Sequence, residues 1–304
     1  MGSIWETDAH IGQFPRLETD IHTDVLVIGG GMAGVLTPFL LTNAGVDVLL
    51  CEAETLANGT TKNTTAKLTS QHGLIYDKLI REFGAEKAGL YLRANEEALS
   101  EYRRLCAGMD CDFAEKDNYI YTRDSAEKLV KELRALHRLG FHAEEVSALP
   151  LPFPVAGAVR FRRQGQFHPL KFLSGIAKDL NIFEHSRVRE LKRTGGGITA
   201  VAGGGTVRAK RVIVATHFPF LNKHGAYFIK MIQHRSYVVA LENAPDLCGM
   251  YLDDDETGLS FRNHNGYLLV GGGGQGSLLA SRILGNVLLQ QGYAVKVSEV
   301  HGMS

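Results

Sequence analysis

The chain has 304 residues, 44% of them hydrophobic, and its 33 basic and 33 acidic side chains leave no net charge. This length allows two domains or one large one, and the balanced charge gives no electrostatic reason to expect nucleic acid or an anionic membrane as a partner. The sequence shows neither an apolar run long enough to cross a membrane nor the features of a signal peptide, so we expect a cytoplasmic protein.

The first predicted element is a buried strand over residues 24–28, which runs into a GxGxxG pattern at residues 29–34. In a dinucleotide-binding turn, Gly29 would make the turn, Gly31 would let the backbone approach a pyrophosphate and Gly34 would let the next helix pack closely. Met32 and Ala33 lie within this turn and are assigned to the same cofactor site.

The helix after this turn contains Pro38, which removes a backbone hydrogen bond and predicts a kink or a strained helix. A second buried strand over residues 46–50 follows, and Glu52 at its end could accept hydrogen bonds from a ribose. Together these features predict a Rossmann-like fold that binds NAD or FAD. The polar, threonine-rich residues 58–73 favour the larger cofactor, which they could wrap; a solvated surface loop is the alternative.

The rest of the chain alternates between helical and strand patterns. Amphipathic helices are predicted over 76–107, 124–139 and 169–180, with Ser125 as a cap for the second. Strand patterns are predicted over 112–122, 181–185, 211–215, 234–241 and 249–270, with a hairpin around 195–205. We therefore predict an N-terminal extension (1–19), a discontinuous FAD-binding α/β domain (20–75 and 155–220) and an α+β substrate domain with an antiparallel sheet (76–154 and 221–270).

Neither the cysteines nor the histidines are spaced as in a metal site. The four cysteines form no CxxC pair, and no pattern of a Rieske iron–sulfur cluster is present. We expect no metal, and four small thiols that are buried or half-buried.

Several segments resemble one known family. These are DVLVIGGGMAG, CEA and GTTKNTTAKLTSQHG, followed by residues 150–160, 166–171, 212–219 and 234–237. They resemble the FAD-dependent oxidoreductases of the D-amino-acid oxidase superfamily, and most closely a bacterial subgroup whose members often carry a C-terminal Rieske domain.

The resemblance implies FAD as the cofactor. It implies that Gly29, Gly31 and Gly34 hold the pyrophosphate and that Glu52 holds the ribose. Val188 would contact adenine through its backbone, unless it is a plain strand residue. The remaining implied contacts are Thr60, Thr61, Asn63, Thr64, Thr65 and Lys67 along the flavin, and Ala215 and Thr216 over the nucleotide.

The resemblance also implies oxidation of a C–H bond next to an amine, by hydride transfer to the flavin. The substrate would be a small amine or amino acid, and the electron acceptor stays open. The catalytic candidates are His72, His168, Tyr237 and Arg262. For each histidine, a hydrogen-bonded structural role is the alternative. Arg262 would face a substrate carboxylate or lie solvated on its strand.

A second glycine run, residues 271–276, begins where this resemblance ends. The motifs GGQG, LLASRIL and VSEVHGMS resemble the gamma-type subunit of 2-oxoacid:ferredoxin oxidoreductases, such as the indolepyruvate enzyme. We expect residues 271–304 to be a foreign strand–helix–strand fragment joined to a truncated flavin fold, with impaired turnover. A non-catalytic flavin-binding remnant and an NAD-dependent dehydrogenase are the alternatives.

Overall fold

The computed structural model describes residues 3–218, 220–221, 226–231, 233–255, 258–272 and 295–303. The described residues form two compact units. The six-stranded unit consists mainly of the described parts of Trp5–Thr64 and Pro169–Gln233, and the nine-stranded unit of those of Thr65–His168 and His234–Val300.

Helices and strands alternate along much of the chain. The α-helices in the described ranges are α1 Met32–Asn43, α2 Tyr76–Cys106, α3 Ala126–Arg138, α4 Pro169–Ala177 and α5 Tyr227–Lys230. Short 3-10 helices span Ile4–Glu6 and Thr60–Asn63. The strands are β1 Ile21–Ile28, β2 Val48–Cys51, β3 Lys67–Leu68, β4 Ala114–Thr122, β5 Glu144–Val146, β6 Gly157–Gln166, β7 Asn181–Phe183, β8 Val188–Thr194, β9 Gly197–Ala202, β10 Gly205–Val214, β11 Gln233–Glu242, β12 Met250–Asp253, β13 Leu259–His264, β14 Tyr267–Gly272 and β15 Val295–Met303.

The six-stranded sheet has the order β7-β2-β1-β10-β9-β8. Strands β7, β2, β1 and β10 are parallel, and β9 and β8 continue the sheet as an antiparallel pair. The central strand β1 is buried from Val25 to Ile28, as expected for an apolar run between two parallel neighbours. Its side chains pack with those of β2, β9 and β10 in one core.

Helix α1 runs through Pro38 without a break in its range. The proline therefore does not end the helix, and the predicted kink or strain stays a prediction. Proline at this position would crowd the carbonyl of residue 34, four residues earlier, and Gly34 has no side chain to add to that crowding. The Thr37 hydroxyl donates to the Ala33 carbonyl at 2.7 Å, which satisfies an acceptor in the same turn.

The second sheet has the order β15-β11-β14-β13-β12-β4-β6-β3, and β5 also pairs with β6. Strand β12 is parallel to β4, whereas β11 with β14, β14 with β13, β13 with β12, and β6 with β3, β4 and β5 are antiparallel pairs. Helices α2 and α3 pack against β6 through a cluster that includes Tyr76, Leu136 and Phe161. The predicted fold class, a Rossmann-like α/β region combined with an antiparallel sheet, is confirmed.

The boundaries between the two regions differ from the predicted ones. The sequence places β6 within the range 155–220 of the FAD-binding domain, yet it lies in the nine-stranded sheet, antiparallel to β4. Residues 65–75 also belong to the nine-stranded unit. The sequence pattern identifies a strand but not its partner, which depends on contacts with distant segments.

Two helix ends show how side chains complete the backbone hydrogen bonding. Ser125 caps α3, with its hydroxyl accepting from the amide of Glu127 at 3.2 Å, as predicted. The carboxylate of Glu132 on α3 accepts from the first amides of α2, those of Tyr76 and Asp77, both at 3.0 Å. Helix α2 leaves helical geometry at Gly84, where φ is 84° and ψ is 159°.

Candidate functional site

The turn between β1 and α1 accepts only glycine at two positions. Gly29 has φ +107°, and a Cβ atom there would lie 2.6 Å from the carbonyl oxygen of Ala215. At Gly34 a Cβ atom would lie 1.8 Å from the carbonyl oxygen of Gly29. The missing side chains thus let α1 start directly against the ends of β1 and β10.

Gly31 differs because the space around it is open. Among the residues that the structure describes, a Cβ atom there would have only the Thr61 hydroxyl within 4 Å, at 3.4 Å. The amide of Met32 donates to that hydroxyl at 3.0 Å, and Gly31 itself offers no side-chain cap to α1. The first amides of a helix have no acceptor within it, so this helix start can receive an anion such as a pyrophosphate. The amide of Ala33 belongs to the same first turn.

Glu52 is fixed at the end of β2. One carboxylate oxygen accepts from the amide of Gly30 at 2.5 Å, and the other accepts from the amide of Glu54 at 2.9 Å. An ionised carboxylate offers about four lone-pair sites, so both oxygens can accept a further hydrogen bond from ribose hydroxyls.

The polar loop after Glu52 is ordered by the N-terminal segment. The indole of Trp5, which is 1% exposed, donates to the carbonyl of Thr64 at 2.8 Å. Lys62 pairs with Glu6 at 3.0 Å, and the Asn63 amide donates to the Gly59 carbonyl. The sequence predicts residues 1–19 only as an extension, and the single tryptophan of the chain is the signal that this segment packs.

The other residues predicted to contact the nucleotide, Ala215, Thr216 and Val188, lie at ends of strands in the six-stranded unit. Ala215 follows β10, and its amide donates to the Ile28 carbonyl at 2.8 Å. Thr216 donates to the carbonyl of Phe218. Val188 is 7% exposed and packs in the core of the six-stranded sheet, so its side chain serves packing, and a contact to adenine would have to use the backbone.

In the nine-stranded unit, Arg262 is fully buried. One guanidinium nitrogen donates to the carbonyls of Thr65 and Ala66, both at 2.7 Å, and burial lowers the pKa of Arg262 to about 9. This geometry favours a role in holding the loop at residues 65–66 over the predicted contact with a substrate carboxylate.

Lys67 follows this loop directly and begins β3. Its ammonium nitrogen donates to the Tyr251 carbonyl at 3.0 Å. Burial, together with the positive charge of Arg262, lowers the pKa of Lys67 to about 7. An amine with such a pKa can both hold and release a proton near neutral pH.

The remaining catalytic candidates do not form one cluster. His72 is exposed, and its Nδ1 lies 2.9 Å from the Tyr91 hydroxyl. Tyr237 is buried in β11, opposite Gly272. His168 is fully buried, and its ring lies 5.7 Å from that of His264.

His168 belongs to a group that the sequence did not reveal. Ligand atoms of Asp112, His168 and His264 all lie within 4.8 Å of one another. Spacing along the chain predicts no metal, but these three residues come from separate segments, so spacing could not detect them.

All four cysteines are free thiols, and only Cys248 is exposed. The Cys106 and Cys111 thiols interact with each other, which raises the pKa of Cys106 and lowers that of Cys111.

Among the described residues, no helix is long and apolar enough to cross a membrane.

Comparison with known proteins places this geometry in a family. The model of the DAO family, described as FAD dependent oxidoreductase, matches residues 24–290. The chain belongs to the DAO family. Because the family depends on FAD, FAD is the cofactor of this fold and the NAD alternative is set aside.

Two curated relatives are similar over most of the DAO-family match. The putative Rieske 2Fe-2S iron-sulfur protein YhfW of Bacillus subtilis (strain 168) is 34% identical over 272 residues, which are 86% of this chain and 53% of that protein. Gamma-glutamylputrescine oxidoreductase of Escherichia coli (strain K12) is 27% identical over 66% of this chain and 50% of its own length. The chain thus spans about half the length of these relatives.

Solved structures share the fold. Glycine oxidase from Geobacillus kaustophilus aligns with a TM-score of 0.69 at 19% identity, covering 93% of this chain and 82% of that one. L-proline dehydrogenase from P. horikoshii aligns with a TM-score of 0.74 at 13% identity, covering 95% and 82%.

The family match also bears on the second glycine run. It continues to residue 290, through much of the segment that we expected to be a foreign fragment beginning at 271. The resemblance to a ferredoxin oxidoreductase subunit finds no support in these comparisons. Residues 273–294 lie outside the described part of the structure, whereas β15 lies beside β11 in the nine-stranded sheet.

Proposed function

We propose that this chain oxidises a small amine or amino acid at the C–H bond next to nitrogen. The observation that carries the proposal is the setting of Lys67 in an FAD-dependent fold: this half-buried lysine donates to the Tyr251 carbonyl at 3.0 Å, and its pKa is lowered to about 7. A substrate amine is normally protonated at neutral pH and must lose a proton before it can donate a hydride. A half-neutral lysine is suited to accept that proton.

The six-stranded unit fits the nucleotide half of FAD. Side chains are excluded at Gly29 and Gly34, whereas the space at Gly31 is open, as a backbone that approaches a pyrophosphate requires. Glu52 stands at the end of β2 with acceptor capacity for the ribose. We propose in addition that the polar residues 60–65 and Lys67 line the flavin, that the Val188 backbone contacts adenine, and that Ala215 and Thr216 close over the nucleotide.

The names of similar proteins support the substrate class. They specify gamma-glutamylputrescine, glycine and L-proline, each of which carries nitrogen on a carbon that bears hydrogen. The name of the Bacillus subtilis relative supports membership of the subgroup with Rieske domains.

The chemistry divides between cofactor and protein. FAD, when bound, accepts the hydride: the C–H bond breaks with both electrons, and a C=N bond forms. The chain's own residues would orient the substrate and take up the proton from its nitrogen. In this scheme Lys67 is the proton acceptor, and Arg262 positions it by holding the adjoining carbonyls of Thr65 and Ala66.

The absorption spectrum of the purified chain tests this function. We expect a yellow protein with the visible bands of a flavin. Under anaerobic conditions, glycine, L-proline or gamma-glutamylputrescine should bleach those bands. A colourless protein whose melting temperature does not respond to added FAD would refute the cofactor assignment. A yellow protein that none of these amines bleaches would refute the proposed substrate class and favour a non-catalytic flavin protein.

A further inference from the structure

A histidine–aspartate cluster lies in the nine-stranded unit. Nε2 of His264 is 3.9 Å from a carboxylate oxygen of Asp112, and a ring nitrogen of His168 lies within 4.8 Å of both residues' ligand atoms. A zinc ion bound at about 2.0–2.1 Å holds its ligand atoms roughly 3–4 Å apart, so side-chain shifts of about 1 Å would bring these three atoms onto one ion.

The strand register explains why these residues meet. Ala114 on β4 pairs with Gln166 on β6. Two residues further along, the amide of His168 donates to the carbonyl of Cys111 at 2.7 Å, which continues the pairing and sets His168 beside Asp112. Strand β13 supplies His264 at its end.

Gln166 adds a fourth donor at the same place. It is 7% exposed, and its amide nitrogen donates to the carbonyl of Asn263 at 3.0 Å. Its amide oxygen is buried without a hydrogen-bond partner among the described residues. A buried acceptor normally has a hydrogen-bond partner, since leaving it unsatisfied destabilises the folded state.

A cavity of about 340 Å³ gives access to the cluster. Asp112, Gln166 and His264 line it, whereas His168 is fully buried and does not line it. Lys116 and Asp246 also line the cavity and offset each other's charge. The nearest buried cation on β13, Arg262, donates to the carbonyls at residues 65 and 66. The carboxylate of Asp112 therefore supplies the negative charge in the cluster itself.

We propose that Asp112, His168 and His264, with the amide oxygen of Gln166, bind one divalent transition-metal ion. Two imidazoles with one carboxylate suit zinc and iron(II), whereas magnesium and calcium prefer ligand sets made of oxygen alone. The cavity leaves coordination positions open to water or a small ligand. This proposal does not depend on the flavin chemistry proposed above.

Calorimetric titration with Zn²⁺ tests the proposal on the tag-free, chelator-treated holoprotein. We expect one ion per chain and a higher melting temperature with Zn²⁺. His264→Asn and Asp112→Asn should each weaken binding at least tenfold. His142→Asn, which changes an exposed histidine of the same unit, should leave affinity unchanged. The flavin absorbance and the metal-free melting temperature report whether each variant is folded.

The coordination can also be read in the wild-type protein, without any variant. X-ray absorption of the zinc-loaded protein should show two imidazole ligands and oxygen donors. The proposal is wrong if Zn²⁺ does not bind, if folded His264→Asn and Asp112→Asn bind it as tightly as the wild type, or if the spectrum shows fewer than two imidazoles.

Discussion

At the scale of single residues, folding places the Lys67 side chain in surroundings that disfavour its charged form. Its pKa falls from 10.5 to about 7 through burial and the charge of Arg262. At pH values between these two pKa values, Lys67 is protonated in the unfolded chain and mostly neutral in the folded chain. Stability therefore rises with pH across this window, by up to about 1.4 kcal/mol per pH unit.

Replacing this lysine by methionine removes that dependence. We expect the free energy of unfolding of Lys67→Met to change less between about pH 7 and pH 10 than that of the wild type. Denaturant titrations at several pH values measure the difference. Lys178→Met, at an exposed lysine, should keep the wild-type slope. Parallel pH profiles for wild type and Lys67→Met would contradict the assigned pKa.

The turn between β1 and α1 requires glycine at two positions because an added side chain would collide with nearby backbone atoms. Gly34→Ala would place a Cβ atom 1.8 Å from the carbonyl oxygen of Gly29, so α1 would have to move away from the turn. We expect loss of FAD binding and a lower melting temperature. Gly12→Ala is the matched control because, in the described part of the chain, no atom lies within 4 Å of the added group. Fluorescence titration with FAD distinguishes them, and equal affinities would refute the proposed pyrophosphate site.

At the scale of elements, α2 depends on one glycine for its change of direction. At Gly84 the conformation, φ 84° and ψ 159°, is one that almost only glycine adopts, and no atom of the described residues would lie within 4 Å of an added Cβ. Gly84→Ala should therefore cost about 1–3 kcal/mol through backbone strain alone.

Gly89, in the helical part of α2, provides the opposite case. Its added Cβ would make ordinary contact with Arg93, so Gly89→Ala should gain about 0.5–1 kcal/mol. Chemical denaturation of both variants checks the pair. If Gly84→Ala were as stable as Gly89→Ala, the non-helical conformation assigned to Gly84 would be wrong.

The start of α2 depends on a carboxylate from α3. Glu132 is 1% exposed and accepts from the amides of Tyr76 and Asp77, and burial raises its pKa. Glu132→Ala leaves two helix-start amides without this acceptor and should cost about 2–4 kcal/mol. Glu97→Ala, at an exposed position on α2, should cost far less. Urea midpoints that shift equally in the two variants would argue against the capping role.

At the scale of the whole molecule, local patterns predicted local structure well. The strand–glycine–helix start, the acid at the end of β2 and the cap at Ser125 each depend on residues close together in the chain. The pairing of β6 and the meeting of Asp112, His168 and His264 depend on contacts between distant segments, which periodicity cannot show. The buried state of Arg262 was also missed, because a strand pattern does not say which polar side chain is enclosed.

The position of β1 has a consequence for how the protein is made. Strand β1 is synthesised early. Its neighbour β10, whose Val214 pairs with Ile28 of β1, is synthesised much later. On the ribosome, one edge of β1 stays open until the whole of the nine-stranded unit's first segment, Thr65–His168, and the residues up to β10 have been synthesised. Late-closing parallel pairs fold slowly and expose apolar edges meanwhile. We therefore expect the nascent chain to need chaperone protection during this interval, and expression at lower temperature to raise its soluble yield.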